Sequence, residues 1–170
     1  MKIIRLTMEH GEALQRFLSE FAKVGEEMIP AYGPPRDWGH GQIVDTLAAW
    51  SRGERLQEGW VPGTTLFLEE GGELLGIVNL RHKLTEALKR YGGHMGYSVR
   101  PSSRRQGYGT LLLEAGMVEA RSLGIERLLV TCEPTNLGSI RVIENNGGVL
   151  QDEFFHEGVQ RLVRCYWIDL

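Results

Sequence analysis

A chain of 170 residues, 42% hydrophobic and 24% charged, has the size and composition of one soluble domain that buries its own core. Its net charge of -3 argues against a nucleic-acid-binding face, which usually leaves a basic excess. The two cysteines, Cys132 and Cys165, are too few and too far apart for a disulfide framework or a zinc site, so reduced thiols in a cytoplasmic protein and no metal centre are expected.

The N-terminal MKIIRLTMEHGEAL has charges breaking its apolar run and does not read as a signal peptide. No apolar stretch approaches the roughly 20 residues of a membrane helix, so no membrane partner is expected. Lys2 to Thr7 favours a strand, and Thr7 is placed to cap the element after it. Leu14, Phe17, Leu18 and Phe21 recur at helical spacing and form one apolar face. Residues 30–35, rich in proline, read as a loop. Ile43, Leu47 and Trp50 give a second helical stripe.

Thr64 to Glu69 and Glu73 to His82 read as strands joined at Gly71-Gly72, a hairpin signal. Leu84 to Arg90 is open between a short helix and a loop. Gly92 to Arg100 reads as a further strand, stopped by Pro101. Leu111, Leu112, Ala115 and Val118 suggest one helical face, with Gly124 as its C-terminal cap. Glu126 to Thr131 is an apolar strand. Asn136 to Asn146 reads as a helix with Ile140 and Ile143 inward, ended by Gly147-Gly148, and Val149 to Phe155 and Gln160 to Ile168 close the chain as paired strands. Strand, helix, strand in the middle implies a parallel pair inside an otherwise antiparallel sheet. The expected fold class is therefore α/β (α+β), a mixed sheet in one domain spanning 1–170.

The segment Arg104-Arg105-Gln106-Gly107-Tyr108-Gly109-Thr110 follows a strand and opens a helix. Helix starts carry unpaired N–H groups and partial positive charge, and bind phosphate oxygens well. Two glycines and two arginines suit a diphosphate there. A glycine-softened helix start without a ligand is the plain alternative, because short glycine motifs match by chance. The P-loop pattern is absent, and the spacing is not that of a dinucleotide fold.

Val99 to Leu113 resembles the central motif of the GNAT superfamily of N-acetyltransferases, with Arg104, Gly107 and Gly109 on its fixed positions. Asn136-Leu-Gly-Ser139, running on to Gly147, resembles that family's N-x-x-[AS] helix. The element order from residue 2 to 168 fits as well. The resemblance implies a mostly antiparallel sheet with a central splayed parallel pair, helices on both faces, and acetyl-CoA as co-substrate. It implies that Ser98 and Val99 address the pantetheine arm and that Arg105 to Thr110 seat the pyrophosphate. Asn136 and Ser139 would flank the thioester, although a plain N-cap role for Asn136 is compatible with that position.

The implied reaction is attack of a primary amine, on a small molecule or a peptide, in a ternary complex. A homodimer is compatible with the resemblance. His94 holds the position where the family often carries a carboxylate base, and a strand histidine hydrogen-bonded for structure is the equal alternative. The usual acid position, seven residues after Asn136, holds Ile143, which cannot donate a proton. Either another side chain protonates the departing thiolate, with Tyr97, Tyr108 and Tyr166 as candidates the sequence does not select among, or it leaves as thiolate and takes its proton from water. Arg81 and His82 could face the acceptor or be solvated; Trp38, Trp50 and Trp60 pack the core by default. Cys132 falls near the thioester, and a small buried hydrophobe is its ordinary role. A non-catalytic acyl-CoA-binding or regulatory domain stays open as a second reading.

Overall fold

The computed structural model describes residues 1–26 and 38–170, so the loop expected at 30–35 lies outside the described residues. Among these, strands β1 (Lys2–Ile4), β2 (Gly63–Glu70), β3 (Glu73–Arg81), β4 (Met95–Val99), β5 (Arg127–Cys132), β6 (Val149–His156) and β7 (Arg161–Asp169) form one sheet in the order β1-β2-β3-β4-β5-β7-β6. Every neighbouring pair is antiparallel except β4 and β5, which run parallel as expected. The helices are α1 (Gly11–Lys23), α2 (His40–Ser51), α3 (Glu86–Arg90), α4 (Tyr108–Ser122) and α5 (Leu137–Asn145). No helix among the described residues is long and apolar enough to cross a membrane.

The β2–β3 hairpin turns at Gly71-Gly72 and is apolar on both sides because both of its faces are covered. On one face Phe67, Leu74 and Ile77 pack with Leu14, Phe17 and Phe21 of α1 and with Ile43, Leu47 and Trp50 of α2. On the other, Leu66, Val78 and Leu80 meet Leu112, Leu113 and Met117 of α4 and Ile140 and Ile143 of α5. Thr7 precedes a single 3₁₀ turn, and its N–H and hydroxyl both meet His10 Nδ1, at 3.0 and 2.9 Å.

Two expectations are corrected. The buried face of α4 carries Gly109, Leu112, Leu113, Gly116, Met117 and Ala120, while Leu111 and Val118 are exposed. The expected stripe took apolar residues on the solvent side, and the true one includes two glycines that hydropathy ignores. The strand expected from Gly92 begins at Met95, because Gly93 N–H turns back to the Leu88 carbonyl and Gly92 N–H to the Thr131 hydroxyl.

The parallel pair is barely a pair. Met95 and Val130 form its single register match, with His94 N–H donating to the Leu129 carbonyl at 2.7 Å. Past that point β4 and β5 separate, and α4 and α5 lie over the opening.

Candidate active site

The segment that follows β4 is held by charge. Arg100, largely buried, donates from Nε to Glu20 of α1 at 2.6 Å and from Nη1 to Glu73 of β3 at 2.7 Å. Glu20 also accepts the Ser102 N–H at 3.2 Å. Burial works to raise the Glu20 pKa, but the hydrogen bonds from Ser102 and Arg100 outweigh it and hold the carboxyl below its ordinary value. The chain thus leaves the sheet in one direction, through a 3₁₀ turn at Pro101–Ser103, into the turn before α4.

That turn is built to leave donors open. Arg105 has φ +62 and Gly107 φ +84, and the backbone N–H groups of Gly107, Tyr108 and Gly109 donate to no group among the described residues. A Cβ on Gly107 would meet nothing within 4 Å, so what favours glycine here is its left-handed backbone and not crowding. Gly109 has a different reason: a Cβ there would lie 2.9 Å from Val142 of α5. Three open donors at the start of a fifteen-residue helix are the kind of group that can receive an anion.

The arginines divide their work. Arg104 grips Glu26 with both terminal nitrogens and donates from Nε to the Val99 carbonyl at 3.3 Å, tying the turn to the end of α1. Arg105 is exposed and in no ion pair among the described residues. Gln106 is exposed beside it, Tyr108 packs partly against the core, and Thr110 donates its N–H back to the Gly107 carbonyl.

Register decides which backbone groups face the opening between β4 and β5. Arg81 N–H bonds the His94 carbonyl and Arg100 N–H the Leu75 carbonyl, which by alternation turns the amides of Gly96 and Ser98 toward β3. Tyr97 and Val99 therefore present their backbone to the opening, and Ser98 stands between them facing the other way. Across the gap lie Cys132 of β5 and the first turn of α5. There Asn136 caps the helix, its Oδ1 accepting the Ser139 N–H at 3.0 Å, which leaves its amide nitrogen as the group able to reach a ligand. Burial pushes the Cys132 thiol up to about 11, so it rests as an unreactive thiol.

His94 is 7% exposed, and its Nδ1 accepts the Leu129 N–H at 2.9 Å. The side chain thus supplies the rung that β4 cannot. Burial first, then the Arg81 charge, push its pKa down to about 4. A neutral ring accepting at Nδ1 carries its hydrogen on Nε2, and so offers no lone pair there.

Arg81 is buried rather than solvated, with Nη1 on the carbonyls of Gly92 and Gly93 at 2.9 and 3.1 Å. His82 Nε2 meets the Thr64 hydroxyl at 2.9 Å. Trp50 stacks between Trp38 and Trp60, with ring centroids 6.4 and 5.0 Å away, so all three pack the α2 side of the sheet. Ile143 is fully buried in the core under α5.

Sequence reasoning missed the Glu20–Arg100–Glu73 clamp, because nothing local links residues 20, 73 and 100. It also missed that Tyr97 belongs with Met95 and Val99 on the α4–α5 side. Period-two alternation from His94 would have shown it.

A helix start with open N–H groups thus faces a half-parted parallel pair, the arrangement that the sequence resemblance implies. The chain belongs to the acetyltransferase (GNAT) family, whose model matches residues 35–147. Among curated proteins no relative matches the sequence. Solved structures share the fold at low identity. RimJ of Mycobacterium smegmatis, in complex with CoA-disulfide, is 19% identical with a TM-score of 0.71, over 98% of this chain and 80% of that one. RimL, the ribosomal L7/L12 α-N-protein acetyltransferase in complex with coenzyme A, is 17% identical with a TM-score of 0.70, over 99% and 93%. The microcin C7 self-immunity acetyltransferase MccE, in complex with acetyl-CoA and AMP, is 15% identical with a TM-score of 0.69, over 99% and 91%.

Proposed function

We propose that the chain is an N-acetyltransferase that moves the acetyl group of acetyl-CoA to a primary amine by direct attack in a ternary complex. The observation that carries this is the row of open N–H groups at Gly107, Tyr108 and Gly109 beside the parted strands β4 and β5. In this reading the pyrophosphate sits on those donors, with Arg105 and Gln106 at its edge and Thr110 within the same first turn. The pantetheine arm runs into the gap along the backbone of Tyr97 and Val99, as a short replacement strand. Where β4 and β5 rejoin at Met95 and Val130 the arm must end, which sets the thioester beside Asn136, Ser139 and Cys132. Arg104 supports the turn from behind rather than touching phosphate.

His94 in this reading is a positioning residue that holds the inner end of the gap, because its acceptor nitrogen is already engaged. The acceptor then reaches the thioester as a neutral amine, losing its proton to water. The acceptor is a small-molecule or peptide amine, and a cytoplasmic location suits the two free thiols. A non-catalytic acyl-CoA-binding domain would keep the same seat, and the buried Ile143 at the customary acid position favours that second reading. Calorimetric titration with CoA tests the seat, and a thiol-release assay with acetyl-CoA over a panel of amines tests the transfer. Micromolar CoA binding with amine-dependent thiol release is expected; no CoA binding overturns both readings, and binding without release leaves only the second.

A further inference from the structure

We infer that Tyr97 is the acid that protonates the departing CoA sulfur. The inference rests on the acetyltransferase reading and deepens it.

Collapse of the tetrahedral intermediate sends the C–S electron pair to sulfur, and a positioned proton donor speeds that step. Three tyrosines are open on sequence grounds, and their places in the fold separate them. Tyr166 is 1% exposed on β7, with β5 standing between it and the gap. Tyr108 opens α4, beside the anion seat and at the opposite end of the arm from the thioester. Tyr97 alone of the three rises from a strand that borders the gap, two residues past its closed end at Met95.

Its ring passes between the two helices that cover the gap, 3.8 Å from the Cβ position of Gly109, and its hydroxyl points at the Ser139 carbonyl in the first turn of α5. The hydroxyl's bond to Ser139 is 3.4 Å, well beyond the ~2.7–2.8 Å usual between oxygens. The group is aimed but weakly engaged, and a sulfur arriving beside Ser139 would complete it. Burial raises the phenol above its ordinary range, so at neutral pH it is fully protonated and available as a donor.

The step balances. The amine nitrogen bonds the carbonyl carbon, the C–S bond breaks, and the Tyr97 hydroxyl proton passes to sulfur to give the CoA thiol and a tyrosinate. The proton lost by the amine, carried through water, restores the phenol.

The test compares the wild-type protein, Tyr97→Phe, and a protein with 3,5-difluorotyrosine in place of Tyr97. CoA affinity is read by calorimetry and kcat by thiol release across pH. Tyr97→Phe should keep CoA affinity and lose kcat by roughly 10²-fold. The more acidic fluorinated phenol should move the alkaline limb of kcat to lower pH, which a merely structural ring would not do. An unchanged kcat in Tyr97→Phe, or a limb that does not move, overturns the assignment. So does a ~10²-fold loss in Cys132→Ala with Tyr97→Phe unaffected, which would give the role to the thiol. If Tyr97→Phe does not fold, the fluorinated protein carries the test alone. Failure of the wild-type protein to bind CoA would instead overturn the reading beneath it.

Discussion

Replacing His94 separates the two roles open to it, because they predict opposite patterns. In His94→Ala the Leu129 N–H loses its acceptor inside the protein, which costs ~1–3 kcal/mol. The ring also leaves an edge contact with Trp167 at a centroid distance of 6.4 Å, a contact of a kind that contributes ~0.5–1.5 kcal/mol. Together these amount to about 2–4 kcal/mol, or a fall in Tm of roughly 5–15 °C for a chain of this length. His94→Asn restores an acceptor near the place of Nδ1 and should recover much of that loss. Differential scanning calorimetry reads the stability, and kcat/KM from pH 5 to 9 reads the chemistry. With its pKa pushed down to about 4, the ring stays neutral across that range and contributes no limb of its own. His94→Asn should therefore retain most activity. A limb near ~6.5 in the wild-type protein that vanishes in His94→Asn, with CoA binding intact, would refute this and make His94 the base. Stability carries a second signature of the same shift. The unfolded chain takes up this proton below ~6.5 and the folded chain only near 4, so His94 stabilises fully above ~6.5 and its contribution falls as pH drops from ~6.5 toward 4.

Gly107→Val should weaken CoA binding at least tenfold by titration, since the side chain would fill the space above the open N–H groups and left-handed backbone disfavours a β-branched residue; undiminished affinity would contradict the seat. Glu20→Gln should lower stability at pH 7 by about 1–2 kcal/mol, between the values of exposed and buried pairs, because Arg100 is largely buried and keeps Glu73. Glu20 is held below the unfolded value of ~4.3, so its contribution is present above that pH and is lost as pH falls. The Tm gap between Glu20→Gln and wild type should therefore narrow in thermal melts as pH falls below ~4.3, and a constant gap would show that the ionised clamp is not its source.

Sequence order carried the architecture well because its signals are local. Gly71-Gly72 marks a turn, the α1 stripe from Leu14 to Phe21 marks a face, and Gly124 and Asn136 mark helix ends. The phase of α4 escaped because its inward side is partly glycine, where close packing on Val142 and Met95 replaces side-chain bulk. The glycines and basic residues of the turn before α4 stand out in the sequence, but their separate contacts do not. Arg104 turns to Glu26 and Arg105 does not, a choice made by a residue just past α1, 78 positions earlier. His94 shows the same limit: its residue type suits proton transfer, and only the missing rung at Leu129 reveals what occupies its nitrogen.

The single register match between Met95 and Val130 makes this sheet two half-sheets joined at a hinge point, with β1 to β4 on one side and β5 to β7 on the other. Helices α4 and α5 bridge the halves over the opening, and the His94–Leu129 and Gly92–Thr131 bonds tie them only at its inner end. An acyl donor lying in that seam would act as an eighth strand, so occupancy by the first substrate would stiffen the frame on which the second is received.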